Sequence, residues 1–196
     1  MIAAPPAGPS PRPPQGDLAN WRVAAPRESL CGLSHTGAGR VDEAARRLSH
    51  EEYAAAAQLA AEGHDVRSLR DGRGRGRTAD LEACGSKVEV KSFLPLEERE
   101  GRVPSARSVL NKLLDAGRQA GSVFVNAQGS GLTASAARRG LAMYGAHPRG
   151  GELATIRVMT GDFDLTWTRT PDRNLGVGSV PRSGTTRQQT DLGLGA

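Results

Sequence analysis

Lys91 stands two residues after Glu89 in Lys87-Val88-Glu89-Val90-Lys91, and Asp80 lies upstream in Gly76-Arg77-Thr78-Ala79-Asp80. Of the 26 basic residues only Lys87, Lys91 and Lys112 are lysines. A chain so biased toward arginine keeps lysine mainly where a compact point charge of adjustable pKa is needed, not a planar fork that never deprotonates. Two carboxylates and one ammonium at this spacing match the needs of phosphodiester hydrolysis: an activated water, neutralised non-bridging oxygens and a stabilised leaving group. A divalent ion supplies much of this. Mg²⁺ takes a few carboxylates, keeps several waters and accepts the substrate phosphate as a ligand. Mn²⁺ and Zn²⁺ stay open as alternatives, with carboxylates favouring the harder ions. Asp80 and Glu89 would hold the ion, and the Val90 carbonyl could add a ligand. Lys91 would orient the water or stabilise the phosphorane, and with a depressed pKa it could act as a base. The same residue types on a strand also make ordinary solvated ladders, so the chemistry depends on the elements that carry them.

Thr78–Ala83 and Lys87–Ser92 read as two strands joined at Cys84-Gly85-Ser86, a hairpin. The period of two puts residues 87, 89 and 91 on one face and turns Val88 and Val90 into a core. Upstream, Ser49-His50-Glu51-Glu52 opens a helix with Ser49 as N-cap and Glu52 closing a capping box, and the helix ends at Gly63. Residues 65–69 form a short strand. Ser105 starts a second helix over 106–116 with Val109, Leu110, Leu113 and Leu114 as its apolar stripe. A strand over 122–126, a helix over 133–144 weakened by Gly140, and strands over 153–159 and 162–168 follow. The order α-β-β-β-α-β-α-β-β describes an α/β fold, a mixed β-sheet flanked by helices.

Gly76-Arg77-Thr78-Ala79-Asp80 followed by Val88-Glu89-Val90-Lys91-Ser92 resembles the PD-(D/E)xK nuclease superfamily, and within it the C-terminal tRNase domains of CdiA-type contact-dependent inhibition toxins. The likeness covers residues 45–168; it departs from the motif at Ala79, where a proline would precede the aspartate. The resemblance implies a restriction-endonuclease-like fold, a divalent metal, cleavage of tRNA by a delivered toxin and a cognate immunity protein. It carries Asp80 and Glu89 over as metal ligands and Lys91 as the catalytic lysine. Members often place a further carboxylate on the first helix, where Glu52 or Glu51 stands; for Glu52 the capping box is the competing role.

On the second helix, Arg107, Asn111 and Arg118 share a broad face with Lys112 at its edge. With Gln119 they are positioned to meet phosphate, sugar or base; a solvated polar face is the alternative. Arg70, Arg73, Arg75 and Arg77 alternate with glycines, and such a loop could track a nucleic-acid backbone. Phe93 is the aromatic nearest the motif, while Trp167 reads as core. The four histidines show no ligand spacing, and neither a nucleophile elbow nor a P-loop occurs.

The bulk numbers agree. A net charge of +5 and a pI near 9.9 favour a polyanionic partner, although arginine-rich coding gives the same balance. The hydrophobic fraction of 37% supports one small domain. The Pro-rich residues 1–40 read as linker, 41–170 as the nuclease-like domain and 171–196 as a flexible tail. Cys84 reads as a small filler in the turn, and two cysteines imply no disulfide framework. The first residues lack the pattern of a secretory signal and no stretch suits a membrane span. The expected location is cytoplasmic, or the cytoplasm of a target cell. A restriction or repair nuclease acting on DNA, and a non-catalytic basic RNA-binding module, are the competing functions.

Overall fold

The computed structural model describes residues 21–24, 37–70 and 78–170. An eight-stranded sheet runs in the order β1 (Trp21–Ala24), β8 (Asp164–Arg169), β7 (Thr155–Met159), β6 (Ser122–Asn126), β5 (Ser86–Ser92), β4 (Leu81–Ala83), β3 (Val66–Ser68) and β2 (Val41–Asp42). The central strands β5, β6 and β7 are parallel, as are β2 and β3; the other pairs are antiparallel. Helix α1 (His50–Ala61) covers one face, and α2 (Ala106–Ala116) and α3 (Ala134–Gly145) the other. The α/β architecture, a mixed sheet flanked by helices, is thus the one expected from sequence. Strand β1 falls within the Pro-rich stretch read as linker. Trp-Arg-Val-Ala is too short to stand out there, and it forms a strand because β8 offers it an antiparallel edge.

Alternation along the central strands builds two cores. Val88, Val90 and Phe124 meet Ala55, Ala56 and Leu59 of α1. Val123, Val125, Ile156 and Val158 meet Val109, Leu113 and Leu141 of α2 and α3. Strands buried on both faces carry near-continuous apolar runs, and the polar exceptions in such runs mark the places that need an explanation. One is Arg157 on β7, 1% exposed. Its guanidinium lies over the Phe124 ring, 5.2 Å from the centroid, and bonds Glu62 Oε1 at 2.6 Å and Asp164 Oδ1 at 2.9 Å. Burial alone would lower its pKa, but the two carboxylates outweigh that and raise it. This buried cluster ties the end of α1 to the β7–β8 hairpin. Another, Glu89 on β5, belongs to the site below.

Ser49 caps α1 and Glu52 closes its capping box, as expected. Cys84 and Gly85 form the two-residue turn between β4 and β5, with φ of 49° and 77°. Positive φ at both centres is the type I′ geometry that matches strand twist. Cys84 departs from its expected role, because it is disulfide-bonded and no simple filler. The chain's other cysteine, Cys31, lies outside the described residues.

Gly140, which weakens the helix on paper, is where α3 crosses α2. A Cβ there would lie 2.6 Å from Val109 Cβ and 2.9 Å from the Ala106 carbonyl oxygen. Gly140→Ala should therefore destabilise the protein by about 1–3 kcal/mol through overpacking, although helix propensity alone would favour alanine by about 1 kcal/mol. A urea midpoint that rises in the variant would contradict this reading of the crossing.

Candidate active site

The tight turn at Cys84-Gly85 sets the register Leu81↔Val88, and one further step places Asp80 opposite Glu89 where β4 begins. Val88 and Val90 face α1, so Glu89 and Lys91 face the α2 side. Glu89 is only 3% exposed. Its Oε1 accepts from Lys91 Nζ at 2.7 Å. Its Oε2 is buried and has no hydrogen-bond partner. A buried carboxylate oxygen left bare is costly, so this strand position is no solvated ladder.

Asp80 lies beside it. Its Oδ2 accepts from the Val90 N–H at 2.9 Å and its Oδ1 from Arg46 Nη2 at 3.3 Å. A residue in a strand sends its N–H and C=O to the same side, so the Val90 carbonyl is directed to the side where Asp80 stands. Burial raises the Asp80 pKa to about 7; the Val90 N–H opposes this, while Glu89 and Glu52 nearby add to it. Burial also raises Glu89, with Lys91 opposing. For Lys91, burial pulls downward but the hydrogen bonds to Glu89 and Asp115 outweigh it, so its pKa is raised. Lys91 is therefore a cation here, not the base that a depressed pKa would make it.

Two residues of this network carry no signal in the sequence. Asp115 on α2 accepts from Lys91 Nζ at 2.9 Å, so the ammonium is held between Glu89 and Asp115. Arg46, ahead of α1, donates to both oxygens of Glu52 at 2.7 and 2.8 Å and reaches Asp80. Glu52 Oε2 also accepts from the Ser49 N–H at 2.8 Å. Burial would raise Glu52, yet these donors leave its pKa lowered. Its oxygens are thus engaged in the capping role and by Arg46. Of the two central carboxylates, Glu89 has the bare oxygen, and Asp80 beside it accepts one hydrogen bond on each of its oxygens. Among the described residues no three His, Cys, Asp or Glu side chains converge as a metal cage. The pair, the Val90 carbonyl and the bare Glu89 oxygen form a sparse all-oxygen set, which fits a hard ion that keeps water and takes ligands from a substrate. Glu51 only adds charge to the first turn of α1.

Beyond Asp115, a cleft of about 440 Å³ opens between the end of β5 and α2, and Asn111 and Lys112 line it. Of the other expected contacts, Arg107 is exposed and outside the cleft, and Gln119 turns back to the Asp115 carbonyl at 3.4 Å. Arg73, Arg75 and Arg77 lie outside the described residues. A larger cleft, about 650 Å³, lies at the β2–β4 edge and contains none of the central residues. Charges of both signs line it, with Arg67 and Glu82 paired at 2.7 Å, so its size is no guide to the chemistry.

Comparison with known proteins finds no matching family model and no matching curated protein. A solved chain of the CdiA-CT/CdiI toxin and immunity complex from Burkholderia pseudomallei is similar at 18% identity and a TM-score of 0.45, covering 67% of this chain and 99% of its own. At that distance, the functional reading rests on the side chains just described. Among the described residues no helix is long and apolar enough to cross a membrane.

The carboxylates also set a pH dependence. Folded Asp80 keeps its proton to about pH 7, whereas the unfolded chain releases it near the ordinary aspartate value of 3.8. Between these values the folded state binds more protons, so its stability falls as pH rises through the window. In EDTA, the urea midpoint of the wild type should drop between pH 5 and pH 8, and Asp80→Asn should lessen the drop. An undiminished drop in the variant would show that another group is responsible.

Proposed function

We propose that the chain is a divalent-metal-dependent endonuclease with Asp80, Glu89 and Lys91 at its centre, acting on tRNA as a toxin domain. The observation that carries this reading is the buried Glu89 carboxylate, one oxygen on Lys91 and the other bare, with Asp80 across the hairpin. No packing purpose accounts for three ionisable groups gathered at this hairpin, with Glu89 buried between apolar neighbours. A cation between the carboxylates would fill the open valence that burial creates.

Asp80 and Glu89, with the Val90 carbonyl, would hold the metal, most simply Mg²⁺. When bound, the ion supplies an activated water and charge neutralisation at the phosphate. The remaining steps belong to the protein. The Val90 N–H fixes the Asp80 carboxylate in place. Lys91, protonated and fixed by Glu89 and Asp115, presents positive charge toward the phosphate and stabilises the charge that grows on its oxygens. Asn111 and Lys112 flank the path of the substrate. Glu52 supports the site indirectly by fixing Arg46 against Asp80.

The choice of tRNA and the toxin setting come from the motif resemblance, which also brings a cognate immunity protein as partner. The basic charge of the chain fits any nucleic acid, so side-by-side digestion of purified tRNA and duplex DNA decides the substrate. In Mg²⁺ the wild type should cleave tRNA and lose activity in EDTA. Lys91→Ala and Glu89→Gln should each lower cleavage at least about 10²-fold while retaining the wild-type circular dichroism spectrum. Wild-type cleavage by Lys91→Ala would remove the lysine from the mechanism. Salt-sensitive RNA binding without turnover would replace the enzyme with a binding module.

A further inference from the structure

The cleft beside Asp115 contains an arrangement that neither the hairpin chemistry nor the motif requires. Lys112 Nζ lies 5.7 Å from the centroid of the Phe93 ring, and Arg99 Cζ lies 5.9 Å from it. Both cations border the cleft, with Ser108 and Asn111 as neighbouring polar groups. Neither Lys112 nor Arg99 forms an ion pair among the described residues. The one acidic side chain of the lining, Asp115, is committed to Lys91. Among the described residues the two cations are thus brought together with no ion-pair partner, Asp115 giving Lys112 only a more distant counter-charge. Burial lowers the pKa of Lys112, and the neighbouring Lys91 and Arg99 add to this while Asp115 opposes it.

We propose that this cleft is a backbone-phosphate subsite, in which Lys112 and Arg99 bind the phosphate next to the one held at Asp80 and Glu89. The inference rests on the nuclease reading for its substrate class. A phosphate suits the cleft better than a base. Phe93 is 7% exposed and the cations already lie over its ring, so it offers no open face for stacking. Lysine and arginine provide point charge and fork for phosphate oxygens, and Asn111 and Ser108 add hydrogen-bond capacity. Because Asp115 both lines the cleft and bonds Lys91, the two sites adjoin. Contacts to phosphate fix register without reading sequence, so this subsite positions the strand and leaves base choice elsewhere.

The test measures binding apart from turnover. Fluorescein-labelled single-stranded RNA of two unrelated sequences is titrated with the full chain in EDTA over a range of salt. The variants are Lys112→Gln, Arg99→Gln, the double variant and Lys112→Arg. Each neutral substitution should weaken binding roughly tenfold, equally for both sequences. The double variant should lower the slope of log K against log salt by about 1.4, and Lys112→Arg should restore most of the affinity. Wild-type affinity and slope in the double variant would overturn the subsite. Mg²⁺-dependent cleavage, measured separately, keeps the two readings apart. Cleavage that needs Lys91 beside unchanged binding in the double variant sinks only the subsite. Binding that needs Lys112 and Arg99 in a protein that cleaves no nucleic acid sinks only the nuclease.

Discussion

The structure depends on a carboxylate placed where a strand should be apolar. Glu89 occupies the middle of β5, 3% exposed, between Val88 and Val90, which pack into the core under α1. An isolated ion in that position would be prohibitive. The fold offsets half of the difficulty by bringing Lys91 to one oxygen and leaves the other oxygen bare. Everything nearby follows from that half-solution. Asp80 is brought opposite by the hairpin register, and its proton is retained to about pH 7 by burial, with the neighbouring Glu89 charge adding to the effect. Such mutually perturbed acids, next to a clamped cation, are a common signature of a site built for chemistry.

The elements around the hairpin act as clamps. From the α1 side, Arg46 spans Glu52 and Asp80, which couples the capping box of the helix to the centre. From the α2 side, Asp115 adds a second carboxylate to the Lys91 ammonium beside Glu89. The ends of these helices are fixed in turn, α1 by the Arg157 cluster over Phe124 and α2 by its crossing with α3 at Gly140. Side chains held from two directions lose little further freedom on binding, which is what preorganisation requires.

Much of this was legible in the sequence because it is local. The capping box at Ser49 and Glu52, the turn at Cys84-Gly85 and the alternation through Val88 and Val90 each depend on residues a few positions apart, and each appears where expected. The parity that puts Glu89 and Lys91 on one face is likewise a property of one strand. What escaped depends on distance. Arg46 and Asp115 are ordinary charged residues until the fold carries them to Asp80 and Lys91. The short strands Trp21–Ala24 and Val41–Asp42 exist only because sheet edges receive them. Helical spacing puts Lys112 at the edge of its polar face, yet it lines the cleft, because the packing of Leu110 and Leu113 sets the rotation of α2.

The central claim is that Asp80 and Glu89 together hold a divalent ion. Crystals soaked in Mn²⁺ and recorded at the manganese edge test it directly. The account predicts an anomalous peak between the two carboxylates, about 2.0–2.3 Å from an oxygen of each, that is absent in crystals of Glu89→Gln. A peak elsewhere with none between these groups, or one that persists unchanged in the variant, would contradict it.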